Sequence, residues 1–230
     1  MDLIRRLNLA MDPRSFPPEF FQREDESNDA EFYTMPRLVV HIDDGAIDAV
    51  GKLFRRLIPE QAEVLDLMTS WRTHWPDDHP RKRIVGLGMN AAEMADNPQL
   101  TEYVLRDINA DPSLPFDDES FDAVVITVSV QYLTHPLDVF SEVSRILRPG
   151  GVFVVSFSNR CFPTKAVRVW RGTNDEDHIE LVASYMHHAG GLAGVRGGLS
   201  NADDSPPSDP LFAVFSYKGL ETTEPETAAG

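Results

Sequence analysis

The sequence predicts an α/β fold, a doubly wound and mostly parallel sheet with helices on both faces. Five short apolar runs carry much of that expectation: VLDLM (64–68), RIVGLGM (83–89), YVLRDI (103–108), DAVVITV (122–128) and GVFVVSF (151–157). Each is too short for a helix, rich in β-branched residues and bounded by Pro, Gly or Asp, as buried parallel strands are. Between the last two lies PLDVFSEVSRIL (136–147), whose apolar spacing is helical. Strands alternating with helices wind into an open sheet. A chain of 230 residues, 42% of them hydrophobic, is long enough to bury such a core as one large domain.

Taken in order, residues 1–35 are polar and Pro-containing, with an acidic run from Glu24 to Glu31, and read as an irregular N-terminal extension. The domain proper spans 36–220. Its first helix is capped by Asp43 or Asp44, since a carboxylate accepts the free amide hydrogens of a first turn. Ile47, Val50, Phe54, Leu57 and Ile58 fall on one face of it, and Pro59 stops it. Pro76 and Pro80 curtail any helix after the first strand. In the 136–147 helix, Leu137, Phe140, Val143, Ser144 and Leu147 share a face; Pro136 suits its first turn and Pro149-Gly150-Gly151 punctuates its exit. A second long helix covers 174–189, and LFAVFSYKG (211–219) is a final strand. The stretch 190–210 reads as a loop with at most a weak strand, and 221–230 as a disordered tail.

Charge narrows the function. Thirty-seven acids against 21 Lys and Arg give −16, a surface that repels phosphate backbones and argues against nucleic acid as a partner. A single cysteine, Cys161, excludes an internal disulfide and fits a cytoplasmic protein. No apolar run approaches the ~20 residues of a membrane span, and the start, MDLIRRLNLAM, lacks a signal-peptide core. His187 and His188 point apart on a helix with no third ligand at suitable spacing, so no metal site is expected. A Gly-x-Gly-x-x-Gly turn between strand and helix is absent, as is a phosphate loop. Nothing in the sequence sets the oligomeric state.

In an open parallel sheet, ligands bind beyond the carboxyl ends of the strands. There the segment LPFDDESFDAVVITVSVQYLTHPLDVFSEVSRILRPGGVFVVSFSNR (114–160) resembles the central half of a class I S-adenosylmethionine-dependent methyltransferase of the type 11 kind. That family's pattern is Leu-Pro-Phe, two or three acids, Ser-Phe-Asp, an apolar strand, a helix, and Leu-Arg-Pro-Gly-Gly. With VLDLM and RIVGLG in register upstream, the resemblance covers roughly 36–220. It implies a Rossmann-like sheet, S-adenosyl-L-methionine as cofactor, and a small-molecule, lipid or protein methyl acceptor.

The resemblance also places residues. The family's first strand ends Asp-x-Gly-x-Gly-x-Gly; here Asp66 is followed by LMTSWRTHW, so Met68, Ser70 and Arg72 stand in the glycine positions. Its second strand ends in an acid that grips the ribose hydroxyls; here Gly88 stands there, followed by Met89 and by Asn90 as a weaker amide substitute. Asp107, with Ile108, matches the acid near the adenine amino group, and Thr127 ends the fourth strand. Trp71 and Trp75, four apart, share a face in a short helix; Trp71 either walls a pocket or packs as ordinary aromatic surface. Asn159 and Arg160, after the fifth strand, are the acceptor candidates. His178 and Tyr185 on the late helix, and His41 ahead of the first helix, are the candidate bases. The missing glycines and ribose acid keep a second expectation open, a non-catalytic binding module that has lost its cofactor grip.

Overall fold

The computed structural model describes the backbone of residues 5–6 and residues 11–201 and 207–219 in full. In chain order the elements are β1 (Arg5–Arg6), α1 (Asp29–Phe32), α2 (Asp44–Leu57), β2 (Ala62–Leu67), β3 (Arg81–Gly88), α3 (Ala91–Ala95), β4 (Glu102–Leu105), β5 (Phe121–Thr127), α4 (Pro136–Ile146), β6 (Leu147–Phe157), α5 (Arg168–Arg171), α6 (Asp175–Ala189), β7 (Leu192–Leu199) and β8 (Phe212–Lys218). The strands form one sheet in the order β1-β7-β8-β6-β5-β2-β3-β4. Strands β2 to β6 are parallel, while β8, β7 and β1 add antiparallel pairs at one side. The chain runs outward from β2 through β3 to β4, then returns to β5 on the other side of β2. The strand order therefore reverses between β2 and β5, and a crevice opens at their carboxyl ends.

Alternation along the strands builds two cores. Val64, Ile84, Val125, Val152 and Val154 face α2, which buries Ala46, Ala49, Val50, Leu53 and Phe54 against them. Leu65, Val124, Phe153 and Val155 face the opposite way, toward α4 and α6. Asp43 is the cap of α2: its Oδ1 accepts the Ala46 N–H at 2.9 Å, and the helix ends at Leu57, ahead of Pro59.

Four details depart from the sequence reading. Strand β6 starts at Leu147 rather than Gly151; Gly150, at φ 79°, lets the Pro-Gly-Gly step shift register inside the strand instead of preceding it. β4 ends at Leu105, so Asp107 lies in the loop beyond it. Residues 192–199 form a strand paired along β8 where a loop is expected. Its three glycines hide the apolar alternation, and Gly191 just before it is required because a Cβ there would meet Ser144 Oγ at 2.2 Å. Residues 68–80 hold no helix, so Trp71 and Trp75 do not share a face. Trp75 is buried on Phe54 and His79, whereas the Trp71 indole donates to Val39 O at 2.8 Å.

The N-terminal segment is fastened to the sheet by a buried charge cluster. Lys165 is 0% exposed, and its Nζ lies 3.1 Å from Asp29 and 3.3 Å from Asp25. Asp29 also pairs with Arg23 at 2.6 Å and accepts from Asn109 Nδ2 at 3.2 Å. Burying charges is costly unless each finds partners, and here every member has several. The tail 221–230 lies outside the described residues.

Candidate functional site

A cavity of about 410 Å³ occupies the crevice at the strand-order reversal. It is within the size range of small-molecule sites. Its wall brings together Asp66, Met68, Ser70 and Trp71 after β2, Gly88, Met89 and Asn90 after β3, Asp107 and Ile108 after β4, and Thr127 at the end of β5. These are the residues expected at the cofactor.

The loop after β2 takes its own path. Thr69 N–H donates to Leu87 O at 2.9 Å, which carries the chain across the end of β3. A Cβ on Gly88 would meet the Thr69 carbonyl oxygen at 2.3 Å, so position 88 admits only glycine while the loop runs there. The missing ribose acid and the altered glycine motif are thus one structural change. Met68 adopts φ 62°, the left-handed backbone typical of glycine, yet carries a side chain that packs on the core. His74 (φ 59°) and Val128 (φ 47°) share that strained region and also line the cavity. Such strain gathers at functional sites.

Asp66 is buried, and its Oδ2 accepts the Thr69 hydroxyl. Burial pushes its pKa up to about 7, with hydrogen bonds from Thr69 and Thr73 pulling the other way. Asp107 uses Oδ1 to accept the Asn109 and Ala110 amide hydrogens at 2.9 and 3.2 Å, a capping role. Asn90 is less free than its position suggests. Its Oδ1 caps α3 by accepting from Ala92 and Glu93, and its Nδ2 donates to Tyr33 O at 2.7 Å. An amide so occupied holds α3 and the N-terminal segment in place at the cavity wall. Thr127 Oγ1 and Ser129 Oγ are buried with no hydrogen-bond partner.

Glu93, unnoticed in the sequence, is the buried acid that ties the site together. It accepts the Ser70 hydroxyl at 2.7 Å and the Arg37 N–H at 2.6 Å, joining the β2 loop to the N-terminal segment. Its signal was an acid three residues after a capping Asn. His74 is the second omission; burial lowers its pKa to about 4. Burial also lowers the pKa of His41, which stands edge-on to Phe162 in the same wall.

The other candidates scatter. Arg160 reaches the cavity rim but pairs with Asp209 at 2.9 Å, and the exposed Asn159 does not line the cavity. His178 and Tyr185 are not at the cavity, which corrects their assignment as bases. Helix α6 lies along a sheet face rather than over the strand ends, so both side chains point into the core. His178 stacks on Trp170 at 3.8 Å and 6°, its Nε2 2.8 Å from Trp170 O. Tyr185 packs between Phe21 and Phe140. Among the described residues no cluster of His, Cys, Asp or Glu is placed to hold a metal, and no helix is long and apolar enough to cross a membrane.

Comparison with known proteins converges on the same chemistry. Residues 77–155 match a family described as a methyltransferase domain. A malonyl-[acyl-carrier protein] O-methyltransferase from Marinomonas sp. (strain MWYL1) is 27% identical over 188 residues, which is 79% of this chain and 62% of that protein. A ubiquinone/menaquinone biosynthesis C-methyltransferase UbiE from Roseobacter denitrificans is 34% identical over 115 residues, 50% of this chain and 40% of that protein. The chain spans less than two thirds of the length of these curated relatives. A solved complex of the Haloferax volcanii Trm112 methyltransferase activator with a methyltransferase aligns at TM-score 0.55 and 16% identity, over 79% of this chain and 92% of that one. At that identity the shared property is the fold. Sheet order, strand-end cavity and matched domain agree: residues 77–155 match a methyltransferase domain, and the chain has the Rossmann-like fold of the class I methyltransferases, whose cofactor is S-adenosyl-L-methionine.

Proposed function

We propose that this protein is an S-adenosylmethionine-dependent methyltransferase acting on a small-molecule, lipid or protein-carried acceptor, at oxygen or carbon as its relatives' names suggest. The observation that carries the reading is the convergence of Asp66, Gly88, Asp107 and Thr127 on one cavity at the strand-order reversal. The residues present fit the cofactor at its two ends. Asp107 is the acceptor for the adenine amino group, Asp66 the partner for the ammonium, and the orphaned hydroxyls of Thr127 and Ser129 await a polar ligand.

When bound, the cofactor supplies a methyl group already activated by its sulfonium. The chain's task is to align the acceptor with the C–S bond and exclude water. Segment 33–41 serves the second purpose. It is fastened along the cavity by Asn90 to Tyr33 O, Glu93 to Arg37 N and Trp71 to Val39 O. His41, kept neutral by burial, is the imidazole on this wall able to take a proton from a hydroxyl or amine acceptor, whereas His74, with its pKa lowered to about 4, is too weak a base for that role.

The packing of Thr69 over Gly88 favours a second reading, a binding module without turnover, since it removes the usual ribose grip. Transfer of labelled methyl from S-adenosylmethionine to malonyl-pantetheine, to a demethylquinone or to cell-extract small molecules separates the two. Label in an acceptor supports the enzyme. Cofactor binding with no transfer to any of these supports the module.

A further inference from the structure

Resting on the methyltransferase reading, we infer that the acceptor is an amphiphilic carboxylate, with its apolar chain along residues 35–40 and its head group beside Arg37. The first observation is a concentration of exposed apolar surface at the cavity mouth. Met35, Leu38, Val39 and Val40 are 75%, 50%, 54% and 45% exposed, half of the large hydrophobics so exposed among the described residues. Val39 and Val40 also line the cavity, so the patch continues into it. Contiguous apolar surface of this kind marks a binding surface rather than chance.

The second observation is charge. In a chain of −16, residues 32–42 contain no acid and a single cation, Arg37. Arg72, Arg106 and Arg160 on the same wall each pair with a carboxylate, Asp96, Asp111 and Asp209. Arg37 has no such partner among the described residues. Its Nη2 donates to Phe32 O at 2.9 Å, and its guanidinium lies 4.3 Å from the Phe32 ring centre and 5.5 Å from that of Phe162. Nη1 is shielded from water and has no acceptor. A cation held this way carries an unmet demand for an anion. A small turn of the guanidinium toward the cavity lets an entering carboxylate meet it. The Phe32 and Phe162 rings beside the guanidinium keep water away from it.

The chemistry is economical. A carboxylate is already an anion, so methylation at oxygen forms the O–CH3 bond and breaks the S–CH3 bond. The electron pair remains on sulfur, and no proton has to leave.

The test uses the full chain saturated with S-adenosylhomocysteine, titrated calorimetrically with octanoate, butanoate and octan-1-ol. Each fully buried methylene is worth about fourfold, so partial burial of four predicts octanoate at least tenfold tighter than butanoate. It should also bind at least tenfold tighter than octan-1-ol. Replacing Leu38→Ser together with Val40→Ser should erase the chain-length preference and keep the carboxylate preference. Arg37→Gln should do the converse. Equal affinity for octanoate and butanoate, or for octanoate and the alcohol, overturns the proposal. So does an Arg37→Gln variant that weakens S-adenosylhomocysteine instead of octanoate, because the guanidinium then serves the cofactor's own carboxylate. Octanoate selectivity in a protein that takes no S-adenosylhomocysteine would keep the amphiphile site and sink the methyltransferase reading. Cofactor binding without selectivity would sink only the site.

Discussion

The carbonyl oxygen of Thr69 stands 2.3 Å from where a Cβ on Gly88 would lie, so the loop after β2 and the end of β3 constrain one another. A loop with glycines at 68 and 70 could run elsewhere and leave room for an acid at 88. This loop, with Met68 and Ser70, crosses the strand end and closes that place.

Gly88→Asp should therefore not restore a ribose clamp. Overpacking against backbone costs about 1–3 kcal/mol, so the variant should melt several degrees lower and bind S-adenosylhomocysteine at least tenfold more weakly. A variant of unchanged melting point and tighter binding would mean that the loop moves aside freely.

Asp66 predicts a pH dependence with a definite sign. Burial places its pKa at about 7, above the ordinary 3.8, so the protonated carboxyl favours the folded protein. That contribution is complete below pH 3.8 and is lost as pH rises through 7. Asp66→Asn, which cannot ionise, should lose nothing over that window. In urea unfolding, the variant should gain roughly 2–4 kcal/mol on the wild type between pH 4 and pH 8. A constant difference would show that Asp66 titrates normally. The cofactor's ammonium favours the ionised form, so wild-type binding should release a proton near pH 6, and the variant should release none.

Asp107→Asn retains an oxygen to cap Asn109 and Ala110 while removing the charge. Loss of a charged hydrogen bond to the cofactor should weaken binding by about 1.5–3 kcal/mol, with the circular dichroism spectrum unchanged. Unaltered affinity would reduce Asp107 to its capping role.

Lys165→Met tests the anchor of the N-terminal segment. Removing the ammonium leaves Asp29 buried with Arg23 and Asn109 as its remaining partners. Breaking a buried pair in this way costs about 3–5 kcal/mol. Pairing it with Asp29→Asn should recover part of the loss, measured by denaturant unfolding. No recovery would place the cost in packing rather than charge.

Much of the sheet was legible because its strands are continuous apolar runs between breakers, from Val64 to Phe157. The cofactor side of the cavity was legible because its residues sit at strand ends, where topology alone gathers them. β7 was not, since LAGVRGGL alternates too weakly to signal a strand. His178 and Tyr185 misled for a different reason: helical spacing shows that two residues share a face, but not which surface that face meets. Glu93 and His74 escaped because their roles depend on a loop path that Thr69 and Gly88 determine together, a contact across 19 residues that no local pattern encodes.

On the proposed reading, the strand-end cavity takes the cofactor despite its altered loop. Calorimetric titration of the full chain with S-adenosylhomocysteine tests it most directly. One site per chain is expected, with a melting point raised by about 5–10 °C at a hundredfold excess over Kd, and loss of both in the Asp66→Asn, Asp107→Asn double variant. A titration without heat, and no shift at millimolar ligand, would contradict it.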